Sequence, residues 1–143
     1  PFMTIRAILQ GKSQDIISIA ADAYVADAVA LLAEKRIGAL PVLEDVRIVG
    51  IFSERDVIYC LASAGADAVG KTVGEVMTSP AVDTTWDMPV LSALSLMTRR
   101  RIRHLPVVES GKLIGFVSIG DLVKYRIERI ESEASALRDY IQS

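Results

Sequence analysis

Apolar and polar residues along this chain follow one scheme twice. In "YVADAVALLAEKR", residues 24–36, Val25, Ala28, Val29 and Leu32 recur three and four apart, the spacing of one apolar helix face. A second helix is expected over residues 90–100. Asp22 and Asp87 stand just before these stretches, where a side-chain oxygen could meet the unpaired amides of a first turn. After each helix come two short β-branched runs, "LPVL" with "RIVGIF" and "LPVV" with "KLIGFV". The turns between them, "EDV" and "ESG", are short enough for hairpins. A brief strand is expected ahead of each helix, over residues 16–19 and 81–84, with a short helical turn before it at residues 5–9 and 73–77. A last helix starts at Ser53 and again at Ser118. The predicted order is β-α-β-β-α, twice, in an α/β (α+β) fold.

The two halves align residue for residue. Residues 37–58 placed on 102–123 give eight identities in 22 positions without a gap: Ile, Leu, Pro, Val, Glu, Gly, Ser and Asp. The register extends upstream, where Asp22 matches Asp87 and Ala28 matches Ala93. Further back, "TIRAIL" matches "TVGEVM" once three extra residues are allowed in the first copy. A unit of about 60 residues buries too small a share of its surface to be more than marginal alone. Two copies packed about a pseudo-twofold axis solve that. The expected division is a first repeat over 4–65, a linker rich in small residues over 66–71, a second repeat over 72–126 and a C-terminal amphipathic helix over 127–143.

Composition narrows the class. The chain is 51% hydrophobic and 24% charged, with a net charge of −2, as in an ordinary globular protein. No apolar run approaches the roughly 20 residues that span a bilayer, and the N-terminus lacks the pattern of a signal peptide. Pro1 and Phe2 read as additions ahead of a natural start at Met3. The single cysteine, Cys60, excludes an intrachain disulfide framework and fits a reducing cytoplasm; it reads as a buried helix residue. The expectation is a cytoplasmic protein with no membrane partner.

With these residues in view, the chain resembles a tandem pair of cystathionine β-synthase (CBS) domains, a Bateman module, from about Thr4 to Arg126. The features that carry the resemblance are the duplication, the "LPV" strand in each copy, and Gly-x-x-Ser-x-x-Asp opening the last helix: "GIFSERD", residues 50–56, and "GFVSIGD", residues 115–121. The resemblance implies a regulatory module that binds an adenosine-containing ligand (AMP, ADP, ATP or NAD(H)) and no catalytic cofactor. It also implies a homodimer and a regulated protein partner whose identity is open.

The Ser and Asp of each motif admit two readings. One is a capping box, which needs no ligand. The other uses the same geometry. A helix N-terminus suits a phosphate, the hydroxyl of Ser53 or Ser118 adds a donor, and the carboxylate of Asp56 or Asp121 has acceptor oxygens for both hydroxyls of a ribose. Gly50 and Gly115 leave room for a ligand, and Arg55 could supply a local charge. The family resemblance places each pocket across the two copies. Asp121 and Ser118 would face Ile17, Ser18, Ile19 and the segment Ile37, Gly38, Ala39 before Pro41. Asp56 and Ser53 would face Val82, Asp83, Thr84 and the segment Ile102, Arg103, His104 before Pro106. Both adenine walls are apolar, and neither carries an aromatic residue immediately before "LPV". The resemblance makes Arg103 and His104 candidates for phosphate contacts.

Other chemistry finds little support. One Cys and one His cannot build a zinc site of the usual Cys/His kind, and there is no nucleophile elbow and no P-loop. Neither enzymatic activity nor a metal is expected. "RRRIRH", residues 99–104, is explained by cations favoured at a helix C-terminus, and no aromatic platform accompanies it for nucleic acid. Trp86 reads as a partly exposed residue before a helix. In the tail, Ile127, Ile130, Ala134, Leu137 and Ile141 step by three and four, an a/d seam for a helix laid on its own domain or for one between two chains. Three accounts stand: a nucleotide-sensing module, a ligand-free interaction and dimerisation module, and an enzyme subunit severed from its catalytic domain.

Overall fold

A computed structural model describes residues 3–11 and 15–142; Pro1, Phe2 and the assignment made for them lie outside the described residues. Helices form where the periodicity is helical: α2 (Val25–Lys35) buries Val25, Ala28 and Leu32, and α5 (Val90–Arg100) buries Val90, Ala93 and Met97. Val29 is 37% exposed, because adjacent helical residues point about 100° apart and Ala28 holds the inward position.

Asp22 and Asp87 do not cap these helices. The N-cap residues are Tyr24 and Pro89, neither with a side-chain cap bond. The amides are met instead by backbone just ahead of the other repeat, Val25 N–H by Lys71 O at 2.8 Å and Val90 N–H by Met3 O at 2.8 Å. With that donor already satisfied, a capping carboxylate has less to do. Asp87 instead accepts a hydrogen bond from the Thr85 hydroxyl.

Each repeat carries one hairpin. Strand β2 (Ala39–Glu44) pairs antiparallel with β3 (Arg47–Ser53), and β4 (His104–Glu109) with β5 (Lys112–Ser118). The ladders shift register at the same place, Val42/Leu43 and Val107/Val108. The two-residue turns use left-handed backbone at Asp45 (φ 55°), and at Ser110 (φ 52°) with Gly111 (φ 78°), which matches the twist of a tight hairpin. The expected strand over 16–19 shrinks to β1 (Ile19–Ala20), parallel to β2. Its counterpart over 81–84 keeps only a parallel bridge from Thr84 to Val107. Residues 16–17 and 81–82 leave the sheet edge and line cavities instead.

The short leading helices trade places. Helix α1 (Ile5–Gln10) puts Ile5 and Ile8 into the core of the second repeat, with Val90, Met97, Leu105 and Leu122. Helix α4 (Val73–Val76) puts Val73 into the core of the first, with Val25, Leu40 and Phe52. The backbone records the exchange: Ile5 N–H donates to Met88 O, and Gly74 N–H to Ala21 O. Helices this short have no stability of their own, so each forms only against a core that receives it.

Helix α3 (Glu54–Ala64) buries Cys60 and runs into a 3₁₀ helix, Gly65–Gly70, which buries Ala68. The small-residue segment between the repeats is therefore an ordered turn. Helix α6 (Ile119–Gln142) is continuous, so the tail prolongs the last helix of the second repeat. Its seam is not laid on the domain: Ile127, Ile130, Leu137 and Ile141 are all exposed. Among the described residues no helix is long and apolar enough to cross a membrane.

Candidate functional site

Ser53 is the N-cap of α3, and its box with Asp56 is closed. The Asp56 carboxylate accepts from Ser53 N–H at 2.9 Å and from the Ser53 hydroxyl at 3.1 Å through Oδ2. Ser118 and Asp121 repeat the pattern at the start of α6. Asp121 accepts from Ser118 N–H at 2.8 Å, and Ser118 Oγ accepts from Asp121 N–H at 3.0 Å. Both pairs thus act as caps, and the caps hold each carboxylate at the mouth of a cavity.

The first cavity, about 470 Å³, is lined by Ser118, Asp121 and Gly115 from the second repeat and by Ile17, Ile37, Gly38 and Ala39 from the first. The second, about 410 Å³, brings Ser53, Arg55 and Asp56 to Val82, Ile102, Arg103 and His104. Each is thus composite, with the capped helix from one copy and an apolar wall from the other. Both lie in the size range of small-ligand sites.

Several expected wall residues lie elsewhere. Ser18 and Ile19 do not line the first cavity; Ile19 is in β1 and packs on the core. Pro41 and Pro106 are buried within their strands. Asp83 is exposed and Thr84 is buried at its bridge to Val107, so neither lines the second cavity. At Ile19 and at Thr84 the chain has joined the sheet edge, which draws it off the cavity walls.

The glycines owe their place to packing. A Cβ on Gly50 would meet Met77 Sδ at 2.5 Å and Thr78 O at 2.8 Å, and one on Gly115 would meet Leu9 Cδ2 at 2.7 Å. These neighbours are the ends of the exchanged helices. Gly50 does not line the second cavity, while Gly115 does line the first.

Other residues at the cavities escaped the sequence reading. Arg36 lines the first cavity and Arg101 the second. Both are the residues that end their helices in left-handed backbone, φ 54° and 56°, a conformation that costs a residue with a side chain roughly 1 kcal/mol. Their equivalence was visible, since they pair in the alignment one step upstream of Ile37 and Ile102. Thr78 reaches the second cavity at the end of α4 and donates to Asp56 Oδ1 at 2.8 Å. Its counterpart in the first cavity is Gln10. Trp86, under the Arg6 guanidinium at 4.1 Å, and Phe116, stacked on His104 at 5.4 Å, also line the first cavity. His104 and Gly38 line both cavities and form the wall between them.

This arrangement has counterparts among known proteins. The model of the CBS domain matches residues 5–63 and 73–128. Over 140 residues the chain is 36% identical to the mitochondrial CBS domain-containing protein CBSX3 of Arabidopsis thaliana, covering 93% of this chain and 68% of that one. A CBS-domain protein of known structure from Burkholderia ambifaria superposes with a TM-score of 0.82 at 38% identity, covering 88% of this chain and 95% of that one. At 24% identity the likeness is one of fold to the CBS domain pair of protein MJ0100, solved with 5′-methylthioadenosine and S-adenosylmethionine; the TM-score is 0.79, over 90% of this chain and 99% of that one. The chain belongs to the CBS domain family, as a tandem pair.

Proposed function

We propose that the chain is a regulatory module, without catalytic activity of its own, that binds an adenosine-containing ligand between its two repeats. The observation that carries this reading is the composite build of the first cavity. There Ser118 and Asp121 stand at a helix N-terminus, opposite an apolar slot of Ile17, Ile37 and Ala39, with Arg36 at the rim. An adenine fits the slot, a ribose diol the carboxylate, and a phosphate the helix end and guanidinium. The same fold holds adenosine compounds in MJ0100. The cations at the two cavities (Arg36, Arg55, Arg101, Arg103) favour phosphate-bearing ligands such as AMP, ADP, ATP or NAD(H) over a sulfonium cation. Occupancy reaches a protein partner only if the ligand prefers one arrangement of the repeats over another. A reducing, cytoplasmic setting suits the single buried thiol.

In the second cavity a specific observation favours the capping role alone. Both oxygens of Asp56 are engaged within the protein, one by Ser53 and one by Thr78. The test is calorimetric titration of AMP, ATP and NAD⁺ against the parent chain, Asp121→Ala and Asp56→Ala. Asp121→Ala is expected to lose about 1–3 kcal/mol of binding, and Asp56→Ala much less. Binding unchanged in a folded Asp121→Ala protein refutes the ribose assignment. No binding by the parent chain at millimolar ligand refutes the nucleotide reading.

A further inference from the structure

Asp56 is fastened twice, and the two fastenings differ in kind. Ser53 holds Oδ2 from within the same helical turn, through its N–H at 2.9 Å and its hydroxyl at 3.1 Å. Those bonds fill both lone pairs of Oδ2, so Oδ1 is the oxygen through which Asp56 can accept from a ligand. Oδ1 already accepts from the Thr78 hydroxyl at 2.8 Å, from 22 positions along the chain. Both side chains line the second cavity. Helix α4 ends at Val76, and Thr78 lies beyond it in a backbone bridge to Ile51, with two bonds of 2.9 Å. Gly50 leaves the space for that bridge, since a Cβ there would meet Thr78 O at 2.8 Å. Backbone contacts therefore place the hydroxyl, whether or not it bonds to Asp56. In the first repeat the equivalent residue is Gln10, which is still inside α1, so the two halves differ here.

We propose that the Thr78–Asp56 bond is a latch on the second cavity, which a nucleotide ribose must displace to reach Asp56. The proposal rests on the nucleotide reading above and adds to it the regulation of one of the two sites. While the latch is closed, Asp56 serves only its cap. Because the bond competes with the ligand for one oxygen, it holds this site in reserve for a higher ligand concentration. Linkage runs in both directions. A nucleotide bound at Asp56 releases one tie on the chain just past α4, the helix whose Val73 fills the core of the first repeat. Occupancy of this cavity thus acts on the exchange of helices between the repeats.

Calorimetric titration of AMP and ATP in an Asp121→Ala background, which weakens the first cavity, tests the second. Circular dichroism verifies that each variant is folded. Thr78 is exposed and its bridge uses backbone alone, so Thr78→Val keeps the bridge and the side-chain shape and removes only the donor. It is expected to tighten binding about two- to tenfold, the usual net contribution of one hydrogen bond. Thr78→Ser keeps the donor and is expected to bind as the background does. Adding Asp56→Ala to Thr78→Val should abolish the gain. Unchanged, weaker or absent binding by Thr78→Val, when the parent chain binds, overturns the latch and leaves the nucleotide reading standing. A gain that survives Asp56→Ala, or that Thr78→Ser shares, does the same. Binding of neither nucleotide to the parent chain or to any variant overturns both.

Discussion

Replacing Gly50 by alanine adds one methyl group where the structure has no space for it. The new Cβ would lie 2.8 Å from Thr78 O and 2.5 Å from Met77 Sδ, against 3.4 Å for an ordinary contact. The Met77 sulfur can swing aside, but the Thr78 carbonyl is backbone. It accepts from Ile51 N–H at 2.9 Å, while Thr78 N–H donates to Ile51 O at 2.9 Å. Moving it strains both bonds and the Thr78–Asp56 bond beyond them. Overpacking of this kind costs about 1–3 kcal/mol, and a weakened hydrogen bond adds about 1 kcal/mol. The stiffer unfolded chain returns about 0.4–1 kcal/mol. The net expected loss is about 1–3.5 kcal/mol, or roughly 3–14 °C in Tm at this chain length. Gly115→Ala is the internal control. Its close neighbours at 2.7 and 2.8 Å are the Cδ atoms of Leu9, the mobile end of a side chain, so the expected loss is about 1 kcal/mol or less. Urea denaturation of the two variants side by side measures the difference. Equal losses, or a neutral Gly50→Ala, would refute the argument that Gly50 exists to admit the end of α4.

Three more expectations follow from the cavities. Arg36→Gly and Arg101→Gly remove a side chain from left-handed backbone, so each should raise stability by about 0.5–1 kcal/mol while weakening phosphate-bearing ligands. A stability gain without a binding loss would detach these arginines from the site. Thr78→Val and Asp56→Ala should be coupled by about 1 kcal/mol in a double-mutant cycle of unfolding free energies, whereas additive losses would mean that their 2.8 Å bond contributes nothing. Trp86, the only tryptophan, lines the first cavity alone, so nucleotide should change its fluorescence. Asp121→Ala should move the change to about 5–150-fold higher ligand concentration; a shift seen with Asp56→Ala instead would place the ligand in the other cavity.

Local information in the chain reaches as far as the elements and no farther. The three- and four-residue spacing of Val25, Ala28 and Leu32 specifies a helix, because the period of a backbone is a property of the segment itself. The "LPV" runs with two-residue turns specify hairpins for the same reason, and Ser53–Asp56 and Ser118–Asp121 are caps within a single turn. The duplication follows from alignment alone, while the pairing of one copy's capped helix with the other copy's wall was an expectation of the family resemblance. Tertiary structure decided what depends on contacts across the chain. Asp22 and Asp87 are displaced as caps because backbone just ahead of the other repeat, Lys71 and Met3, meets the first amide. Thr78 reaches Asp56, and Leu9 reaches Gly115, only because α1 and α4 each pack on the other repeat. Nothing in six or four residues states which of two similar cores will receive them; the choice is made by the surface buried there, which no local pattern records. The cavity that Arg36 and Arg101 each line was settled in the same way, by packing between the repeats.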